Sequence, residues 1–365
     1  MNNGKTTIKR GLLYAGLVIT LVLLSRCSTG VRTVPPKVYT DTLPYTEMNF
    51  NRISIRGLDP VCNESILSVH NCYWFLYVDT ARRLCLSSID SSTATVHRFD
   101  ISNTDKDIRH FSMDWQDSIL YINNYPKAEM QKYILHADYR LTYIETIDYS
   151  TCFKDKSYAF YNDGDAFRVI GDKCFFQISG KSKRDNYTDE YLYLVFEPQS
   201  RTFYKVFLSP DEYAEGLRDS RNTFLLSMED HVQLCFFENI DRALVYDLRR
   251  KEPVRSIDFN PYANYQVYDK SQEKDLGYMR QYAMTEENNA RIFRCKEHIV
   301  IIKRVKRSSM LDPFVFEYLV LDKHLKMVRY NRINHPINPN LSYPYREGFM
   351  LTDRNLGKGY YYEIH

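Results

Sequence analysis

The chain has 365 residues, with 49 Lys and Arg against 46 Asp and Glu, a formal net charge of +3 and 15% aromatic residues. Four of the basic residues (Lys5, Lys9, Arg10 and Arg26) and none of the acidic ones fall in the first 26 positions. A chain that starts at residue 27 therefore carries 45 basic against 46 acidic residues, without the basic excess of a nucleic-acid-binding domain. Besides Cys27 there are seven cysteines, no two at C-x-x-C spacing, which excludes a zinc ribbon and a dense disulfide framework.

The first element is the apolar run Gly11–Leu24, too short for a bilayer span of about 20 residues but suited to the core of a signal peptide. Lys5, Lys9 and Arg10 supply its positive flank. The exit, Leu24-Ser25-Arg26-Cys27, resembles the bacterial lipoprotein signal, and the resemblance implies lipidation of Cys27 after removal of 1–26. A thiolate is the side chain nucleophilic enough for that transfer near neutral pH. Arg26 stands where that signal carries a small residue, so a plain secretory signal and an uncleaved anchor stay open. Ser28–Pro44, polar and holding Pro35, Pro36 and Pro44, reads as an extended tether. The expected division is signal peptide 1–26, acylated cysteine and tether 27–49, and folded domain 50–365.

The rest is long enough for two average domains or one repeat fold. Short runs rich in Tyr, Phe, Val and Ile suit half-buried strands. An apolar stretch, a tight polar turn and a second apolar stretch recur at 66–78, 110–122, 167–178, 224–237, 292–303 and 343–353. Each is a candidate hairpin, with turn residues such as Gly171-Asp172. After each of the first five copies comes another strand–turn–strand, at 84–101, 131–148, 191–208, 243–259 and 318–333. The sixth is followed by one strand only, 359–365, and "FNRISIR" (50–56) offers the missing partner. The expected fold is all-β: a six-bladed β-propeller closed by pairing of N- and C-terminal strands, preceded by a signal peptide and spacer. One or two β-sandwiches compete with it.

This layout of leader, proline-containing spacer and six degenerate repeats resembles the uncharacterised six-bladed TolB-like propeller lipoproteins of Bacteroides-type bacteria. The resemblance implies a lipid-anchored protein of the bacterial cell envelope and brings no catalytic residues with it. Ser28, Thr29 and Gly30 replace the acidic signal of surface-exported members, which favours an outer-membrane anchor facing the periplasm.

Strands that alternate in direction put the connections 149–165, 180–190, 209–222, 260–290 and 305–313 on one face of such a propeller. Long loops on a rigid scaffold are where binding residues sit. The longest, Asn260–Ala290, carries Tyr262, Tyr265, Tyr268, Tyr278 and Tyr282 with Arg280 among them, a set suited to protein or sugar surfaces. The competing reading is that these rings pack the loop onto the strands below. A short helix is expected within 269–284, weakened by Gly277.

No nucleophile elbow, H-E-x-x-H helix or phosphate-cradling glycine loop occurs, and no cofactor or metal is expected. His231 and His298 fall at hairpin turns. Asp163-Gly164-Asp165 reads as turn chemistry rather than a calcium loop. "KRVKR" (303–307) reads as a solvated strand end that discourages edge pairing. Cys174, Cys235 and Cys295 lie in or beside apolar strand patterns and read as buried free thiols; a disulfide involving Cys62 or Cys72 stays open. The expected function is non-enzymatic binding of a protein, peptide or glycan through the long-loop face, with the membrane as second partner through the lipid. The alternative is a propeller hydrolase or lyase with acidic or histidine residues at the axial channel.

Overall fold

The computed structural model describes residues 35–49, 62–69, 72–78, 84–90, 96–101, 111–116, 118–138, 140–154, 158–160, 166–180, 191–210, 223–229, 231–263, 269–272, 274–305, 314–353 and 358–364. From Val38 onward the chain forms one compact unit.

The paired apolar runs fold as antiparallel hairpins, and the hairpins join two by two into sheets. Strands β2 (Cys62–Val69), β3 (Cys72–Val78), β4 (Leu84–Asp90) and β5 (Val96–Asp100) make one sheet. The next holds β6 (Phe111–Gln116), β7 (Ile119–Asn124), β8 (Glu129–Leu135) and β9 (Leu141–Asp148). Then come β10 (Tyr158–Phe160) and β11 (Phe167–Ile170), which both pair with β12 (Lys173–Gly180), followed by β13 (Tyr191–Glu197) and β14 (Thr202–Leu208). A fourth sheet holds β15 (Thr223–Glu229), β16 (Val232–Phe237), β17 (Arg242–Asp247) and β18 (Glu252–Asp258). Helix α1 (Leu276–Thr285) leads into β19 (Asn288–Cys295), β20 (His298–Val305), β21 (Val315–Leu321) and β22 (Met327–Ile333). The last sheet is β23 (Asn338–Tyr345), β24 (Gly348–Thr352) and β25 (Lys358–Glu363) with β1 (Tyr45–Asn49) on its outer side.

First strands lie side by side: β2 against β6, β6 against β11, β15 against β19, β19 against β23, and β23 against β2. The architecture is an all-β propeller, its sheets packed face to face. The turns joining first and second strands are two residues long, and Gly171, Lys296 and Arg346 adopt left-handed backbone there to reverse the chain.

Successive side chains of a strand point to opposite sheet faces, and on inner strands such as β13, β16, β20 and β24 both faces are buried. Phe176 of β12 joins Tyr149 and Phe167 against the preceding sheet, while Phe175 packs with Cys235, Phe237 and Tyr246 of the following one. Phe236 of β16 likewise faces Ile299, Leu319 and Tyr330. Trp74 tilts against Trp115 at 4.6 Å between centroids, and Tyr318, Phe349 and Tyr362 fill the last cluster with Leu43. Each fully buried ring contributes about 1.5–3 kcal/mol relative to exposure. Double-sided burial also explains why the second strands read as unbroken apolar runs.

The N-terminal part differs from the sequence reading in two ways. The strand paired with β25 is Tyr45–Asn49, in antiparallel register Tyr45↔Tyr362 to Asn49↔Lys358, while the expected 50–56 lies outside the described residues. An outermost strand such as β1 is largely exposed, so it needs no apolar alternation, and the more apolar "FNRISIR" was misleading. The expected tether 27–49 is also too long. Thr40 N donates to Tyr330 O (2.9 Å), Leu43 N donates to the Tyr318 hydroxyl (3.0 Å), and Leu43 is buried. The folded unit begins at Val38, not at residue 50.

Candidate binding face

The strand ends Asp148, Gly180, Leu208, Asp258 and Val305, where the long connections 149–157, 181–190, 209–222, 259–287 and 306–313 begin, lie on the side opposite the two-residue turns. The best described is 259–287. Asp275 caps α1 by accepting from Gly277 N (2.7 Å) and Tyr278 N (3.3 Å), which sets the helix start despite Gly277. Asp269 closes the turn before it, accepting from Ser271 N (2.9 Å), and its own N–H donates to the Tyr278 hydroxyl (2.5 Å).

Of the six candidate residues, Tyr265 and Tyr268 lie outside the described ones. Tyr262 stacks on Tyr330 at 5.4 Å between ring centroids, at the edge of the core. Tyr282 is buried and Tyr278 tilts against it at 6.2 Å. The Tyr262 ring ties the loop to β22, while the printed contacts of Tyr278 stay within the loop. Arg280 faces solvent, as does Leu276 at 72% exposure.

Beneath the loop lies a buried polar clasp that the sequence reading missed. Lys303 of β20 donates to Asp241, in the connection between β16 and β17, and both side chains are buried. Asn260 Nδ2 donates to the same Asp241 carboxylate (2.7 Å). Asn289 Nδ2 donates to Phe237 O (2.8 Å) and Asn288 Nδ2 to Glu238 Oε1 (2.7 Å), tying the start of β19 to the neighbouring sheet. Glu286 pairs with Arg304 at 3.4 Å. Lys303 is also registered opposite Glu317 of β21, whose carboxylate accepts from the hydroxyls of Tyr330 and, at 2.6 Å, Tyr39. Burial and then the Glu317 carboxylate hold the Tyr330 hydroxyl far above the usual phenol range, so it stays a donor. A buried charge without a partner is costly, which makes this a fixed arrangement.

The clasp corrects the reading of "KRVKR". Lys303 is not a solvated strand end, because β20 is an inner strand between β19 and β21, and Lys303 turns to a carboxylate. Residues 306 and 307 lie outside the described ones, as do Asp163, Gly164 and Asp165. Those three fall between β10 and β11, which both pair with β12. The sequence signal for the clasp is a set of polar residues at strand ends, "FFENID" and "EENNA".

Among the described residues no group of three or more His, Cys, Asp or Glu side chains is placed to hold a metal ion. Cys174, Cys235 and Cys295 are buried free thiols. Burial pushes Cys295 up to about 11 and the other two higher, so none offers a thiolate near neutral pH. His231 and His298 sit on the two-residue-turn side, away from this face. Among the described residues no helix is long and apolar enough to cross a membrane. Cys27 lies outside them.

No protein family and no curated protein matches the chain by sequence. Solved structures resemble it at low identity. A protein of unknown function from Bacteroides caccae is 11% identical, with 74% of this chain and 81% of that one covered and a TM-score of 0.40. A candidate exported protein from Bacteroides fragilis is 9% identical, with 87% and 86% covered and a TM-score of 0.44. A virginiamycin B lyase from Staphylococcus aureus is 7% identical, with 89% and 100% covered and a TM-score of 0.40. Likenesses this distant carry no functional argument, and the propeller assignment rests on the strand pairing of the chain itself.

Proposed function

We propose that the protein is a non-enzymatic binding propeller of the bacterial envelope, anchored by lipid at Cys27 and facing the periplasm from the outer membrane. Its sheets are read as six blades closed into a ring by the pairing of β1 with β25. Its ligand is a protein, peptide or glycan held on the long-loop face.

The observation that carries this reading is the asymmetry of the two faces. One has only turns of two to five residues; every longer connection belongs to the other, and one of these is capped, tied to β22 through Tyr262 and seated on the buried Asp241–Lys303 clasp. A fixed platform lowers the ordering cost of binding. The hydrolase or lyase reading is weaker, since Glu238, Asp241, Glu286 and Glu317 are each engaged by partners within the protein.

Photo-crosslinking amino acids at Leu276 and Arg280, compared with Lys296 and Glu347 in the turns of the other face, test the assignment. The reading expects adducts from the first pair in native envelopes; adducts from the second pair alone contradict it.

A further inference from the structure

A groove of about 810 Å³ runs down the outer wall between β14 and the last two strands of the next sheet, β17 and the outermost β18. Its lining carries Lys205, Arg242, Lys251 and Arg255 and no carboxylate. Arg242 is engaged by Asp258 at 2.7 Å, just outside the lining, and Lys251 lies over the Tyr204 ring at 4.2 Å. Apolar surface is interleaved with these cations: Tyr191 is 41% exposed, Leu208 47% and Val254 55%. An outer strand with exposed apolar side chains is a template for another chain unless something covers it.

The floor is shaped by an uncommon backbone. Phe207 has φ +59° within β14, a left-handed conformation that costs a bulky residue about 1–3 kcal/mol. The turn buries its ring beside Tyr246, at 5.3 Å between centroids. Strain of this kind persists only where the surroundings enforce it, and it gathers at ligand clamps.

The chain itself shows how an outer strand of this protein receives an extended segment. Thr40 N donates to Tyr330 O (2.9 Å), Tyr330 N donates to Thr40 Oγ1 (3.1 Å), and Asn331 Nδ2 donates to Thr40 O (2.6 Å) on β22. Leu43 of the same segment is buried in the core. Backbone bonds to the outer strand with side chains sunk between sheets form one docking mode, strand addition.

We propose that the groove between β14 and β18 binds an extended segment of a partner protein in which acidic and apolar side chains alternate. Alternation places the apolar side chains toward Tyr191, Leu208 and Val254 and brings the carboxylates to Lys251 and Arg255. This surface is on the outer wall and meets the long-loop face only at Ser209 and Pro210.

The test is fluorescence polarisation of the full mature chain with a labelled synthetic peptide of alternating Glu and Val. The expected result is saturable binding that salt weakens, and at least about a tenfold loss of affinity in the Lys251→Glu/Arg255→Glu variant. Both side chains are exposed, so an unchanged melting curve confirms that the variant folds. The same peptide with Lys in place of Glu should not bind. Three results would overturn the proposal: absence of saturable binding, equal affinity in the charge-reversed variant, or binding of a hyaluronan oligosaccharide in place of the peptide.

Discussion

Lys303 and Asp241 form a buried ion pair that joins two neighbouring sheets beneath the longest loop of the protein. Neither residue could be placed from its sequence neighbours. Removing one partner leaves the other charged and buried, which costs about 3–5 kcal/mol. Lys303→Met and Asp241→Asn should therefore each lower stability by that order. The double variant should lose less than the two singles together. Denaturant unfolding of the four proteins measures the coupling, and strict additivity would mean that the pair does not interact.

The N-terminal segment gives a second prediction. A chain that starts at Val38 keeps the contacts of Tyr39, Thr40 and Leu43 and the whole of β1. A chain that starts at Phe50 loses them, uncovers the outer side of β25 and forfeits the burial of Leu43, worth about 1.5–3 kcal/mol. The first truncation should melt like a chain that starts at Cys27. The second should melt lower and associate through the open strand, seen by light scattering. Equal melting of the two would show that 38–49 adds nothing to the fold.

His335 makes stability depend on pH beside β1 and β25. Its ring stacks on Tyr360 at 3.8 Å between centroids, and Nε2 lies 2.7 Å from the Tyr362 hydroxyl. Tyr45 flanks it at 4.9 Å. Burial lowers its pKa below the usual histidine value, and the Glu47 carboxylate only partly opposes that shift. The unfolded chain therefore takes up the proton first. Stability conferred by neutral His335 is complete above about pH 6.5 and is lost as the pH falls from there through the lower folded value. Melting curves from pH 7.5 to 5 should show that loss, and His335→Asn should flatten it. An unchanged slope in the variant would remove His335 as the source.

The fold was legible where local pattern and burial coincide. Runs such as "KCFFQI" and "HIVIIK" are apolar on both strand faces because sheets pack on each side, and their two-residue turns mark the hairpins. The strand paired with β25 was misplaced because an exposed outer strand carries no apolar signature, and "YTEMN" looks like a linker. The packed segment 38–44 was hidden for a related reason: its anchors are single residues, Tyr39, Thr40 and Leu43, that bond to positions nearly 300 residues away. At the long-loop face the loop and its helix were visible as a long polar stretch. The clasp was not, because Asp241, Lys303 and Asn260 meet only through the pairing of separate sheets. Lys303 looked solvated inside a basic run, and only its position on an inner strand shows why it is buried.

The long-loop face is the central claim, and the structure narrows the segment that tests it. Asn260 and Glu286 belong to the clasp and must stay, so the replacement covers 263–284 with a short Gly-Ser linker. The wild-type and replaced proteins, both with intact melting transitions, would be immobilised and exposed to native envelope extract. Retained proteins and sugars would be read by mass spectrometry and carbohydrate analysis. The account predicts that a ligand held by the wild type is lost from the replaced protein; retention of the same ligand by both would contradict it.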